Sequence, residues 1–162
     1  MGLEIAFWIL AVVGVTAALA VVLLRNVFRA ALSLILCFLA VAGIYVTLSA
    51  DFLAAAQILI YVGGISVLII LAIMLTRDVQ QGSPSNKLRI PALVVVILFL
   101  GAVGYATTNT IWQVSGAPPV GPTTAGLAGR LFGEGGFILP VEIAAVLLLA
   151  AILGAIVLVR EK

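Results

Sequence analysis

The chain has 162 residues, of which 65% are hydrophobic and only 9% charged, and its mean hydropathy is +1.39. Soluble domains carry about 25% charged residues, so this composition describes a chain solvated by lipid. It contains no His, one Cys and a formal charge of +2, which excludes most haem anchors and transition-metal sites and gives no reason to expect nucleic-acid binding.

A spanning helix needs about 20 mostly apolar residues. Five stretches qualify, over residues 3–24, 30–49, 52–75, 90–107 and 138–159, so we expect an all-α integral membrane protein with a single membrane domain over residues 1–162. The first carries only Glu4 near its start and stays apolar through Leu24, so it reads as a spanning helix rather than a signal peptide, which needs a positive start and a short apolar core. Cys37 lies within the second apolar run and reads as a small hydrophobe. Asp51 stands where the third span begins and reads as a helix cap. Pro91 and Pro140 suit the first turns of the fourth and fifth spans, where a missing N–H costs little.

The third span is the unusual one. "IYVGGISVLIILAIML", Ile60 to Leu75, puts Gly63-Gly64 and Ser66 in the middle of an apolar run, with Tyr61 just before and Gln57 a turn earlier. At 100° per residue, Gln57, Tyr61, Gly64 and Leu68 share one face, while Gly63, Ser66 and Ile70 share another. Small and polar residues on two sides indicate a helix packed inside a larger bundle. Each Gly costs about 1 kcal/mol against Ala in a helix interior. Two readings follow: close helix packing, or a backbone irregularity such as a π-bulge, a feature that tends to mark functional sites.

The basic residues orient the spans. Arg25 and Arg29 follow span one, Arg77, Lys87 and Arg89 follow span three, and Arg160 and Lys162 follow span five; of the eight Lys and Arg, only Arg130 falls on the other side. The positive-inside rule therefore places the N-terminus outside and the C-terminus in the cytoplasm. The outside loop, residues 108–137, is rich in Gly and Pro and reads as irregular surface structure. No nucleophile–base pair, carboxylate pair or metal cluster is present. Glu142 is the one acid near the membrane interior. It reads either as a partner of the helix macrodipole or as a proton-path or partner contact.

The stretch from Leu24 to Thr76 resembles the J subunit of proton-pumping NADH:quinone oxidoreductase, respiratory complex I, known as chain 6 in mitochondria and the G subunit in plastids and cyanobacteria. The matching pieces are Leu24-Arg25-Asn26, Ala42-Gly43, Asp51-Phe52-Leu53-Ala54 with Gln57, Tyr61-Val62-Gly63, Val67-Leu68 and Met74-Leu75. Leu131-Phe132, Pro140 with Glu142, and Gly154-Ala155 extend the likeness. The chain departs from the family's usual pattern at Val27 and Arg29, where Pro and His are common, at Gly64 and Ser66, often Ala and Met, and at Ile69-Ile70-Leu71, which leans toward the plastid-like pattern.

This resemblance implies a membrane-arm subunit near the quinone-reactive region, beside K-, H-, A- and N-type subunits, in a bacterial plasma membrane or a thylakoid-type one. It implies that FMN, iron–sulfur clusters and quinone belong to the complex, with none bound by this chain, and leaves NADH or ferredoxin as the donor. It also implies a third helix that switches between bulged and regular forms through Tyr61, Gly63, Gly64, Ser66 and Val67, coupling quinone reduction to proton translocation. Two other functions fit the residues alone: a small subunit of a multisubunit cation/proton antiporter, and a purely structural assembly subunit.

Overall fold

The computed structural model describes residues 1–76, 89–112 and 123–159. Five helices are long and apolar enough to cross a membrane, and among the described residues there is no strand. The first span is α1 (Gly2–Leu23) and the second α2 (Val27–Thr47). The third runs from Asp51 to Leu75. It is built from α3 (Asp51–Ala56), a π-helical segment (Gln57–Ile65) and α4 (Ser66–Leu75). The fourth and fifth spans are α5 (Arg89–Asn109) and α7 (Ile138–Val159), with a shorter helix, α6 (Thr123–Phe132), between them.

The second span starts three residues earlier than the apolar run indicates, because Asn26 caps it. Its side chain accepts the Arg29 N–H at 3.1 Å, satisfying one of the orphan donors of a helix N-terminus. Arg29 therefore lies in the first turn of α2. The fourth span outlasts its expected end for a similar reason. Thr107 and Thr108 donate their hydroxyls to the Gly104 carbonyl and Asn109 donates to that of Tyr105. Polar residues thus serve the last carbonyls of an otherwise apolar helix.

The core is formed by the first three spans. α1 and α2 pack as a hairpin whose contact is made of small residues. Gly14 and Ala17 of α1 and Ala31, Ala40 and Ala42 of α2 are buried, and a Cβ on Gly14 would lie 3.5 Å from that of Ala40. Small side chains let two helix backbones approach, which is how association proceeds in lipid where no hydrophobic force drives it. All three pieces of the third span then pack on α2. The connection is a tight one. The Ala50 N–H reaches back to the Tyr45 carbonyl at 2.9 Å and the Ser49 N–H to that of Val46 at 3.0 Å, with Ser49 in the left-handed region at φ 57°. This is the reverse turn that usually has Gly at its left-handed position.

The loop over residues 108–137 is not irregular throughout, as its Gly and Pro content indicated. Thr123–Phe132 form α6, which lies against α3 and α7. Leu127 and Leu131, four residues apart, give it an apolar stripe that the interspersed glycines hide, and Arg130 in its last turn suits the negative end of the dipole. The glycines do their expected work only after Phe132. Gly135 is at φ 74°, a Cβ on Gly136 would lie 2.7 Å from the Arg130 carbonyl oxygen, and the Phe137 N–H closes the turn onto that carbonyl at 2.9 Å. The sequence's 77–88 loop, residues 113–122 and the two terminal cations, Arg160 and Lys162, lie outside the described residues.

Spans four and five differ from the rest. Among the described residues α5 touches no other element and α7 touches only α6; the most apolar window of each span is 0% buried, against 17% for span two.

Candidate functional site: the π-helical third span

The third span enters as ordinary α-helix. Asp51 is its first helical residue rather than its cap. The cap position belongs to Ala50, and no side chain bonds there. The carboxylate still sits in the first turn, where the macrodipole favours it. From Gln57 the backbone widens into a π-helix that persists for nine residues and ends at Ile65. The closing bond runs from the Ser66 N–H to the Tyr61 carbonyl, a five-residue step. The bulge anticipated between Tyr61 and Val67 is therefore present, but it starts a turn earlier, and Val67 stands in regular α-helix.

Widening the backbone changes which residues share a face. In an α-helix the nine steps from Gln57 to Ser66 make about 2.5 turns, which would place them on opposite sides. In this chain both are buried, Gln57 at 9% and Ser66 at 2% exposure, on a span whose pieces all pack on α2. The 100° wheel fails here because each five-residue hydrogen-bonded turn takes in more residues, so nine steps come close to two whole turns. The expected grouping of Gln57 with Tyr61, Gly64 and Leu68 is corrected accordingly: Gln57 is buried, whereas Tyr61 is 44% and Leu68 66% exposed. Tyr61 still has a neighbour, the Phe38 ring of α2 at 5.3 Å and 64°. Such edge-to-face pairs are worth about 0.5–1.5 kcal/mol beyond burial. Nothing in the sequence singled out Phe38, one aromatic among many apolar residues.

Gly63 and Gly64 are exposed, and among the described residues no atom of another helix lies within 4 Å of a Cβ built on either. A Cβ on Gly63 would meet the Ile58 carbonyl oxygen at 3.4 Å and one on Gly64 that of Leu59 at 3.9 Å, both on the same helix five residues back. Both are ordinary van der Waals distances, so among the described residues the pair is not filled by a neighbouring helix, as Gly14 and Gly43 are. Glu142 is the fifth residue of α7, exposed and just beyond the first turn, which contains no acid. The structure does not bring it to the π segment: α7 and the third span make no contact among the described residues. Cys37 is partly buried in α2 as a free thiol. Among the described residues no group of three or more His, Cys, Asp or Glu is placed to hold a metal ion.

The fold and this segment define a class: a multi-pass helical membrane protein whose third span is opened into a π-helix at a Tyr-Val-Gly-Gly core. Sequence similarity carries the identification further. The profile of the family described as NADH-ubiquinone/plastoquinone oxidoreductase chain 6 matches residues 17–158, and the chain belongs to that family. It is 42% identical over 160 residues to the NAD(P)H-quinone oxidoreductase chain 6 of Synechocystis, covering 97% of this chain and 80% of that one. It is 38% identical over 161 residues to the chain of the same name from Leptolyngbya boryana, covering 98% and 80%. It is 37% identical over 160 residues to subunit J of the F(420)H(2) dehydrogenase of Methanosarcina mazei, covering 96% and 90%. Five candidate spans and this kinship make it a multi-pass protein of a bacterial or thylakoid-type membrane, related to subunits of an oxidoreductase complex.

Proposed function

We propose that this chain is a membrane-arm subunit of a proton-pumping quinone oxidoreductase and that its third span helps couple quinone reduction to proton translocation. The observation that carries this reading is the π segment, closed by the five-residue bond from Ser66 to Tyr61. A helix that can gain or lose one residue per turn turns everything beyond it by about 100° for each residue. Resolving the segment would turn Ser66, Val67 and Ile70 relative to Gln57 and Tyr61, exchanging a hydroxyl for apolar side chains beside a water path. That is a bistable element of the kind small energies can bias. The chain supplies this element and no redox chemistry. FMN, iron–sulfur clusters and quinone are assigned to its partners, of the K-, H-, A- and N-types. The naked surfaces of α5 and α7 support a need for such partners, and family membership favours this reading over an antiporter or a purely structural subunit. The relatives from Leptolyngbya and Methanosarcina carry names with different electron donors at nearly equal identity, 38% and 37%. The donor is thus read as the business of another subunit.

The test is the proton-to-electron ratio of the whole complex. Val in place of Gly63 or Gly64 should lower it while quinone reduction continues, and Val at Ala72 should not. Equal ratios in all three variants would refute the coupling role. The basic residues support an N-terminus outside. Cysteine labelling from outside should accordingly reach position 123 and miss position 85, and the reverse pattern would invert the topology.

A further inference from the structure

We propose that the Ser66 hydroxyl is the latch that holds the third span in its π register. Hydroxyls in helices ordinarily bond the carbonyl three or four residues back, and this chain shows the habit repeatedly. Thr16 bonds Val12 and Val13, Ser33 bonds Arg29, Thr47 bonds Ile44 and Thr76 bonds Ala72. Ser66 alone among the hydrogen-bonded hydroxyls of the described helices reaches five residues back, to the Tyr61 carbonyl at 2.6 Å. That carbonyl also accepts the Ser66 N–H. One residue thus places two donors on the acceptor that closes the π segment.

The latch follows from the acceptor's alternatives. In a regular α-helix the Tyr61 carbonyl takes the N–H four residues on, that of Ile65. Ser66 would then lose both bonds to Tyr61 and turn relative to Gln57, out of a position where it is 2% exposed. Relaxed, the hydroxyl would fall back on a carbonyl three or four residues before it, outside the buried position, so the side chain favours the π register by the difference between the two bonds. Position explains why serine serves. The residue is the first of α4, at the junction where the wide helix returns to the narrow one. Its burial on the span that packs against α2 keeps water from competing for the bond. The assignment of the latch rests on this geometry alone; its consequence for proton pumping rests on the coupling role proposed above.

The experiment uses the assembled complex with Ser66→Ala, Ser66→Cys and Ser66→Thr. Particle images of each are sorted by whether the third span is π-helical or regular, and proton-to-electron ratios are measured alongside. Losing the advantage of the buried bond, worth at most one neutral hydrogen bond, should lower the π-to-α ratio in Ser66→Ala by up to roughly twelvefold. Ser66→Cys, nearly isosteric but a weak donor, should lower it less, and Ser66→Thr, which keeps the hydroxyl, should stay near the parent. Should Ser66→Ala fail to assemble, the Cys and Thr pair decides by the same criterion. Unchanged π occupancy in the assembled Ala or Cys complex overturns the latch, including the case in which parent and variant are wholly π-helical. A fallen π occupancy with an unchanged proton-to-electron ratio keeps the latch and refutes the coupling role instead.

Discussion

Gly43 of α2 and Gly63 of the third span are both glycines in the middle of a spanning helix, and they do opposite things. A Cβ on Gly43 would lie 2.9 Å from two terminal carbons of Leu10, so its missing side chain is filled by the neighbouring helix. A Cβ on Gly63 would meet nothing but its own helix, the Ile58 carbonyl oxygen at 3.4 Å. The first glycine admits a neighbouring helix, and the second lies within the π segment with only its own helix beside it. What a small residue means in a membrane helix is decided by what would touch its Cβ, and periodicity alone does not supply that information.

The largest expected effect breaks the comparison at its second member. Val at Gly63 places β-branches against the Ile58 carbonyl and stiffens χ1 in a helix, so the π register is penalised. Electron transfer should persist while the proton-to-electron ratio falls, and by more than for Val at Gly64, where the nearest carbonyl oxygen is 3.9 Å from the Cβ. Because the two positions are adjacent and both exposed, equal losses would point to a clash with a neighbouring subunit and not to the winding of the helix. Measured proton uptake per quinone reduced distinguishes the two.

The first member is tested by Gly43→Val. Overpacking a well-filled contact costs about 1–3 kcal/mol, so the complex should lose thermal stability in detergent while the proton-to-electron ratio of what survives stays at the parent value. Gly43→Ala should cost less, since the obstructing atoms are the flexible end of Leu10. A Gly43→Val complex that was stable but uncoupled would mean that the α1–α2 contact takes part in the switch.

Much of this is legible in the sequence. Long apolar runs mark spans because lipid leaves a backbone no other partner than itself, and the fifth span, Ile138–Val159, falls on its expected bounds. The glycine pair beside Tyr61 pointed to the bulge. Its register was not legible, because a helical wheel presupposes the 3.6-residue turn that the segment abandons. Ser66 and Gln57 are both buried in the widened helix, and Phe38 is defined as a partner of Tyr61 only by packing. α6 was missed for a different reason: glycine content reads as loop, while Leu127 and Leu131 supply just enough apolar stripe to dock a ten-residue helix on α3.

The smallest expected effect concerns the chain's outward face, which the comparison of the two glycines leaves open. Glu142 projects from α7, which among the described residues meets only α6, and it lies one residue beyond the first turn. The macrodipole's pull on a carboxylate is worth about 0.3–1 kcal/mol in exposed positions and fades past that turn. Glu142→Gln keeps the shape and hydrogen-bonding reach of the side chain and removes only the charge. If the macrodipole is all the carboxylate answers to, stability should fall by less than about 1 kcal/mol, and the complex should assemble and pump almost as the parent does, as thermal denaturation and proton-to-electron ratios would show. The position is equally open to a partner subunit, where an ionisable group in a membrane is costly and so tends to be functional. An assembled Glu142→Gln complex with a large loss of pumping would therefore overturn the mild outcome. It would also place a proton path on the bare side of α7, away from the π segment, so that coupling would need two elements of this chain and not one.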